Sequence, residues 1–71
     1  MKLSNRIREI RKSYNLSQAE LAYRCNISTS AYGKIERNAE KSSLETLRKV
    51  ASGLGVSTVF LIDTENIFKI N

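Results

Sequence analysis

Thr29, Ser30, Gly33, Lys34 and Arg37 recur at intervals of three and four through the stretch NISTSAYGKIERN, Asn26 to Asn38. That stretch has the length and periodicity of a short helix, so these residues share one face while Ala31, Tyr32 and Ile35 share another. Their side chains are absent, small and hydroxylated, or cationic. A helix that enters the major groove of double-stranded DNA needs such a face. Low bulk lets its axis approach the base edges, hydroxyls can donate or accept there, and a cation can meet guanine O6 and N7 or a phosphate. Gly33 gives room in a helix at a cost of about 0.8 to 1.0 kcal/mol relative to alanine, which suggests that proximity is worth more at this position than helix propensity. An ordinary solvated helix face remains the alternative on these residues alone.

The surrounding pattern supplies elements to position that face. Leu3, Ile7, Ile10 and Tyr14 form the inner stripe of a first amphipathic helix, with Arg6 and Lys12 read as solubilising charges. Ser17 and Glu20 form a capping box that starts a second helix at about Gln18 and buries Leu21, Ala22 and Cys25; Leu16 staples onto Leu21. Asn26 can take the left-handed conformation that ends this helix, Ile27 plugs the turn, and Ser28 caps the third helix. Two short helices joined this way make a helix-turn-helix. Ser42 or Ser43 then caps a fourth helix carrying Leu44, Leu47, Val50, Ala51 and Leu54 inward, and Gly55 stops it. The run VSTVFLI, with Ser57 as its cap, reads as a fifth helix. The expectation is an all-α bundle of five short helices in a single domain over residues 1–71, with its core in 3–62 and a tail at 63–71.

Composition narrows the chemistry. There is no histidine and only one cysteine, Cys25, so imidazole bases, common zinc sites and an internal disulfide lack their residues. No carboxylate pair has catalytic spacing. We expect no enzyme, no metal and no cofactor, and Cys25 is read as a buried, inert thiol. Twelve Lys and Arg against seven Asp and Glu give a net charge of +5. Residues 1–49 hold eleven of the bases and five of the acids, leaving a near-neutral apolar end. A basic region joined to an apolar one suggests a polyanion-binding surface and a separate partner surface. No apolar run is long enough to span a membrane, and a cytoplasmic location without a small-molecule ligand is expected.

LSQAELAYRCNISTSAYGKIERN followed by SLETLRKVASGLGVS resembles the Cro/C1-type helix-turn-helix proteins, the Xre family that includes phage repressors, Cro and restriction-modification controller proteins. Gln18-Ala19-Glu20-Leu21-Ala22, Ile35-Glu36-Arg37 and Leu54-Gly55-Val56 carry most of the likeness. The resemblance implies a homodimer on a pseudo-palindromic operator. By position, Gln18 contacts a phosphate or adjoining base pair and Thr29, Ser30, Gly33 and Lys34 face the bases. Arg37, Asn38, Lys41 and Ser43, with Ser17 at the start of the second helix, lie near the DNA backbone. Arg11 and Glu36 match a structural ion pair. Asn26 and Asn38 stand where many relatives have glycine, a change that asparagine's tolerance of the left-handed region permits. Thr29 and Ser30 stand where several have residues able to make bidentate purine contacts, which shifts discrimination toward Lys34, thymine methyls and DNA shape.

Val59, Phe60, Leu61 and Ile62 are more apolar than one side of a short helix can bury, which marks an interface. Ile67 and Phe68 either extend it or pack back on the monomer. The reading is a small autoregulatory transcriptional regulator, with RNA polymerase as a further partner if Glu36, Glu40 or Glu45 presents an activating surface. The rival is an antitoxin or interaction module that masks a protein through its apolar end.

Overall fold

Serine caps divide the chain into helices. In the computed structural model, which describes residues 1–65, α1 spans Leu3–Ser13, α2 Gln18–Arg24, α3 Thr29–Arg37, α4 Leu44–Leu54 and α5 Thr58–Ile62. The Ser17 hydroxyl accepts from Glu20 N–H at 3.0 Å while the Glu20 carboxylate accepts from Ser17 N–H at 2.7 Å, which completes the capping box. Backbone and hydroxyl hydrogen bonds from Ser17 hold the Glu20 carboxyl below its usual range. Ser28, Ser43 and Ser57 each accept from the backbone N–H three residues on, at 3.0, 3.2 and 3.0 Å. These bonds satisfy donors that each helix start leaves unpaired. Gly55 ends α4 in the left-handed region at φ 77°, and Asn26 makes the same exit from the α2 side at φ 62°.

The first helix touches α3 and α5. Ile7, Leu21, Tyr32, Val50 and Leu61, one from each helix, are the fully buried centre of the core, with Leu16, Leu47 and Leu54 around them. Tyr32 is therefore a core residue. A 3-10 turn, Ala39–Lys41, follows α3 and was not expected; it packs on the start of α1. There the Glu40 carboxylate accepts from Ser4 N–H at 3.1 Å and from the Ser4 hydroxyl at 2.9 Å, capping from a distance a helix whose own N-cap, Lys2, supplies no side-chain bond. The Ser4 bonds, backbone first, hold the Glu40 carboxyl below its usual range.

Several expectations are corrected. Leu61 is 0% exposed and belongs to the core, so only Val59, Phe60 and Ile62 of that run are exposed. The phase of α5 explains this, because residues 59 and 62 lie three apart on one side while 61 turns inward. Arg6 is buried at 4% exposure: its Nη2 donates to the Phe60 carbonyl at 2.7 Å and its guanidinium stacks 4.5 Å from the Phe60 ring centroid, holding α1 to α5. Leu44 and Tyr14 are exposed rather than inward, since each sits where its helix begins or has just ended. Asn15 takes a left-handed conformation at φ 57°, whereas Asn38 does not, at φ −122°. Cys25 is half-buried, and burial pushes its thiol pKa up. Ile67 and Phe68 lie outside the described residues.

Candidate nucleic-acid interface

Glu36 organises the site from beneath. It occupies the last turn of α3 but faces inward at 2% exposure, where an unpaired carboxylate would be costly. Donors surround it. Arg11 Nε donates to Oε1 at 2.8 Å and Arg11 Nη2 to Oε2 at 3.2 Å, a fork matched to the carboxylate plane. The Tyr32 hydroxyl donates to Oε1 at 2.7 Å and Gln18 Nε2 to Oε2 at 3.0 Å, with Arg8 Nε 3.6 Å from Oε2. Burial, the largest single influence on Glu36, pushes its pKa up. The bonds from Arg11, Tyr32 and Gln18 together outweigh burial and hold the carboxyl below its usual value. The same contact raises Arg11, and burial followed by Glu36 raises Tyr32. Arg11 also donates from Nη1 to the Leu16 carbonyl at 2.8 Å. One guanidinium thus fixes α1, the approach to α2 and the end of α3 relative to one another.

That arrangement sets the outer face. Thr29, Ser30, Lys34 and Arg37 are exposed along one side of α3, with Gln18 half-buried at the start of the neighbouring α2. Among the described residues no ion pair engages Lys34, Arg37 or Lys41. Gly33 differs from expectation: it is buried, and a Cβ there would stand 3.4 Å from Arg37 Nη1 and 3.9 Å from Gln18 Oε1. The space gained by omitting a side chain is filled from within the protein, so Gly33 does not itself present a surface to bases.

The flanking polar residues divide similarly. Asn38 closes α3, its Nδ2 donating to the Lys34 carbonyl at 3.2 Å. The Ser43 hydroxyl accepts from Thr46 N–H and donates to Thr46 Oγ1 at 3.0 Å, so it is engaged on both sides. Ser17 keeps an exposed hydroxyl proton beyond its capping role, and Lys41 is exposed at the end of the 3-10 turn. Of the acids considered for polymerase contact, Glu36 is consumed by the buried network, while Glu40, though bonded to Ser4, and Glu45 are exposed.

Sequence reading missed the structural roles of three residues. Arg6 falls at spacings of three and four from Leu3 and Ile10, the one signal of its inward position. Gln18 is both a surface residue and a partner of Glu36, and Glu40 caps a helix 36 positions away. No local pattern encodes the last two contacts. Among the described residues, no group of His, Cys, Asp and Glu could hold a metal ion, and no helix is long and apolar enough to cross a membrane.

Comparison with known proteins agrees with this architecture. Residues 7–61 match the helix-turn-helix family model. The chain is 38% identical to the immunity repressor protein of Bacillus phage phi105, over 97% of the chain and 48% of that repressor. It is 35% identical to control protein C.BamHI of Bacillus amyloliquefaciens, over 87% of the chain and 78% of the relative. It is also 35% identical to the HTH-type transcriptional regulator DdrOP3 of Deinococcus deserti, over 89% of the chain and 49% of the relative. The chain spans about half the length of the first and third of these. No solved structure matches it. By name these relatives are regulators, not enzymes. With α2 and α3 forming the helix-turn-helix inside the matched residues, the chain belongs to the Cro/C1-type helix-turn-helix family of DNA-binding regulators.

Proposed function

We propose that the chain is a sequence-specific regulator of transcription that binds double-stranded DNA as a homodimer on a pseudo-palindromic operator, and that it controls its own promoter. The observation that carries this reading is the exposed side of α3, where Thr29, Ser30 and Lys34 stand unobstructed above a buried Arg11–Glu36–Gln18 network that fixes α3 against α2. Rigidity of that kind favours base reading, because contacts held by a preformed scaffold lose less ordering entropy on binding. In the proposed complex Thr29 and Ser30 meet base edges from the first turn of α3, Lys34 reaches one turn deeper, and Gln18 stands beside them. Ser17, Asn38, Lys41 and Ser43 flank this centre at the level of the phosphates.

Val59, Phe60 and Ile62 form the proposed dimer surface. They are 73%, 40% and 39% exposed, on the last described helix. A two-fold dimer presents two copies of α3, and half-sites about 34–36 Å apart follow from placing both on one side of the duplex. The salt-sensitive part of affinity comes from phosphate contacts, and a specific dissociation constant on the order of 10⁻⁸ to 10⁻¹¹ M is expected. Footprinting on duplexes selected from a randomised pool tests the arrangement. Two protected half-sites about one helical turn apart support it; protection without position preference contradicts it.

A further inference from the structure

Arg37 ends the face that carries Thr29, Ser30 and Lys34, and the family resemblance implies a place for it beside the DNA backbone. Its side chain goes the other way. Nη1 lies 3.4 Å from the point where a Cβ on Gly33 would stand, so the guanidinium is folded back by one helical turn onto the glycine. Gln18 also approaches Gly33, with its Oε1 3.9 Å from the same point. The orientation of that amide is chemically fixed. Gln18 Nε2 donates to Glu36 Oε2 at 3.0 Å, and an ionised carboxylate only accepts, so the carbonyl oxygen must be the end turned toward Gly33. Both oxygens of Glu36, the carboxylate adjacent in sequence, are taken by Arg11, Tyr32 and Gln18. Among the described residues no ion pair neutralises the Arg37 guanidinium.

We propose that Arg37 is a specificity-determining residue that reads a guanine in the major groove, folded back for that task over the space that the missing side chain of Gly33 leaves. This rests on the DNA-reading role proposed above for α3. The guanidinium is a planar fork of donors that matches guanine O6 and N7, whereas a phosphate contact needs only positive charge within reach. Folding back brings that fork level with Gly33, within the span of α3 that carries Thr29, Ser30 and Lys34, instead of beyond the helix end. A Cβ at Gly33 would stand in van der Waals contact with the guanidinium, so side chains longer than alanine would compete for the place Arg37 occupies. Thr29 and Ser30 make no bidentate purine contact, so this pairing gives the face a strong base discriminator that its first turn lacks.

The test uses the full chain, duplexes selected by it from a randomised pool, and every single base-pair substitution of the best duplex. Wild type should lose about ten- to a hundred-fold in affinity when one particular G·C pair in each half-site is changed. Arg37→Ala should lose that discrimination alone and keep the rest of the profile, and Arg37→Lys, which retains charge without the fork, should not restore it. Gly33→Leu, whose side chain extends into the place of the guanidinium, should weaken discrimination at the same pair while its circular dichroism stays helical. If Arg37→Ala instead weakens all duplexes by one common factor and leaves the profile unchanged, Arg37 is a phosphate contact and the proposal is wrong, though α3 remains a reader. A wild-type chain that prefers no duplex overturns the proposal together with the DNA-reading role on which it rests.

Discussion

Changing Glu36 to glutamine keeps the size of the side chain but removes its charge and one of its two acceptor oxygens. The buried network then has too many donors. Arg11 Nε and the Tyr32 hydroxyl point at Oε1, while Arg11 Nη2 and Gln18 Nε2 point at Oε2. Wherever the new NH₂ group sits, it faces at least one donor, and Arg11 loses its counter-charge. An exposed ion pair is worth about 0–1 kcal/mol, whereas stranding one member of a buried pair costs about 3–5 kcal/mol. Side-chain exposures of 8% for Arg11 and 3% for Glu36 decide for the second case. One retained acceptor places the expected loss near the lower bound, about 3 kcal/mol. A domain of 71 residues has about 4–11 kcal/mol of total stability, so this single change removes between a quarter and most of it. Urea unfolding followed by circular dichroism, at fixed protein concentration because a dimer's stability depends on it, gives the measurement. With a slope of about 1 kcal/mol/M for so small a chain, the midpoint should fall by about 3 M. A fall of under about 1 M with unchanged slope would refute the reasoning and return the Arg11–Glu36 pair to the energetic class of a surface bridge.

Other consequences are independent of that experiment. Bonds from Arg11, Tyr32 and Gln18 outweigh burial and hold the Glu36 carboxyl below the ordinary carboxylate range, so its contribution is complete above that range and is lost as pH falls through the depressed folded value. Stability measured from pH 6 downward should therefore drop below about 4.5 in wild type and less steeply in Glu36→Gln. Lys34→Ala should cost at least about 1 kcal/mol of operator binding in an anisotropy titration while leaving helicity unchanged; unaltered affinity removes Lys34 from the reading face. The α5 residues should separate cleanly. Val59→Asp, at a position 73% exposed, should leave unfolding of the monomer unchanged but abolish the dimer in sedimentation equilibrium. Leu61→Ala, at 0% exposure, should lower stability by about 2–5 kcal/mol.

Local chemistry made much of this molecule legible from its residues. A capping serine needs only the N–H three positions on, so Ser17, Ser28 and Ser57 announced helix starts, the pair Ser42 and Ser43 announced a fourth that the structure assigns to Ser43, and Gly55 and Asn26 announced exits. The Arg11–Glu36 pair came from the family resemblance, since its members are 25 residues apart and no spacing rule joins them. Long-range contacts set what remained hidden. Arg6 reads as a surface charge until Phe60, 54 positions later, supplies a carbonyl and a ring to receive it. The run Val59-Phe60-Leu61-Ile62 is apolar throughout, so periodicity carries no phase, and only packing against α1 and α4 shows that Leu61 turns in. At Gly33 the sequence signalled a need for space. It held no sign that Arg37 and Gln18 would fill that space from two different helices.

The central claim is that this chain reads a particular DNA sequence. Fluorescence anisotropy tests it most directly, using the DNA immediately upstream of its own gene and a shuffled duplex of the same composition at one near-physiological salt concentration. A preference of about 10³-fold or more for the upstream DNA is the predicted result. Equal, weak binding to both duplexes would contradict the claim, leaving a basic surface without an address and directing attention to a protein partner for Val59, Phe60 and Ile62.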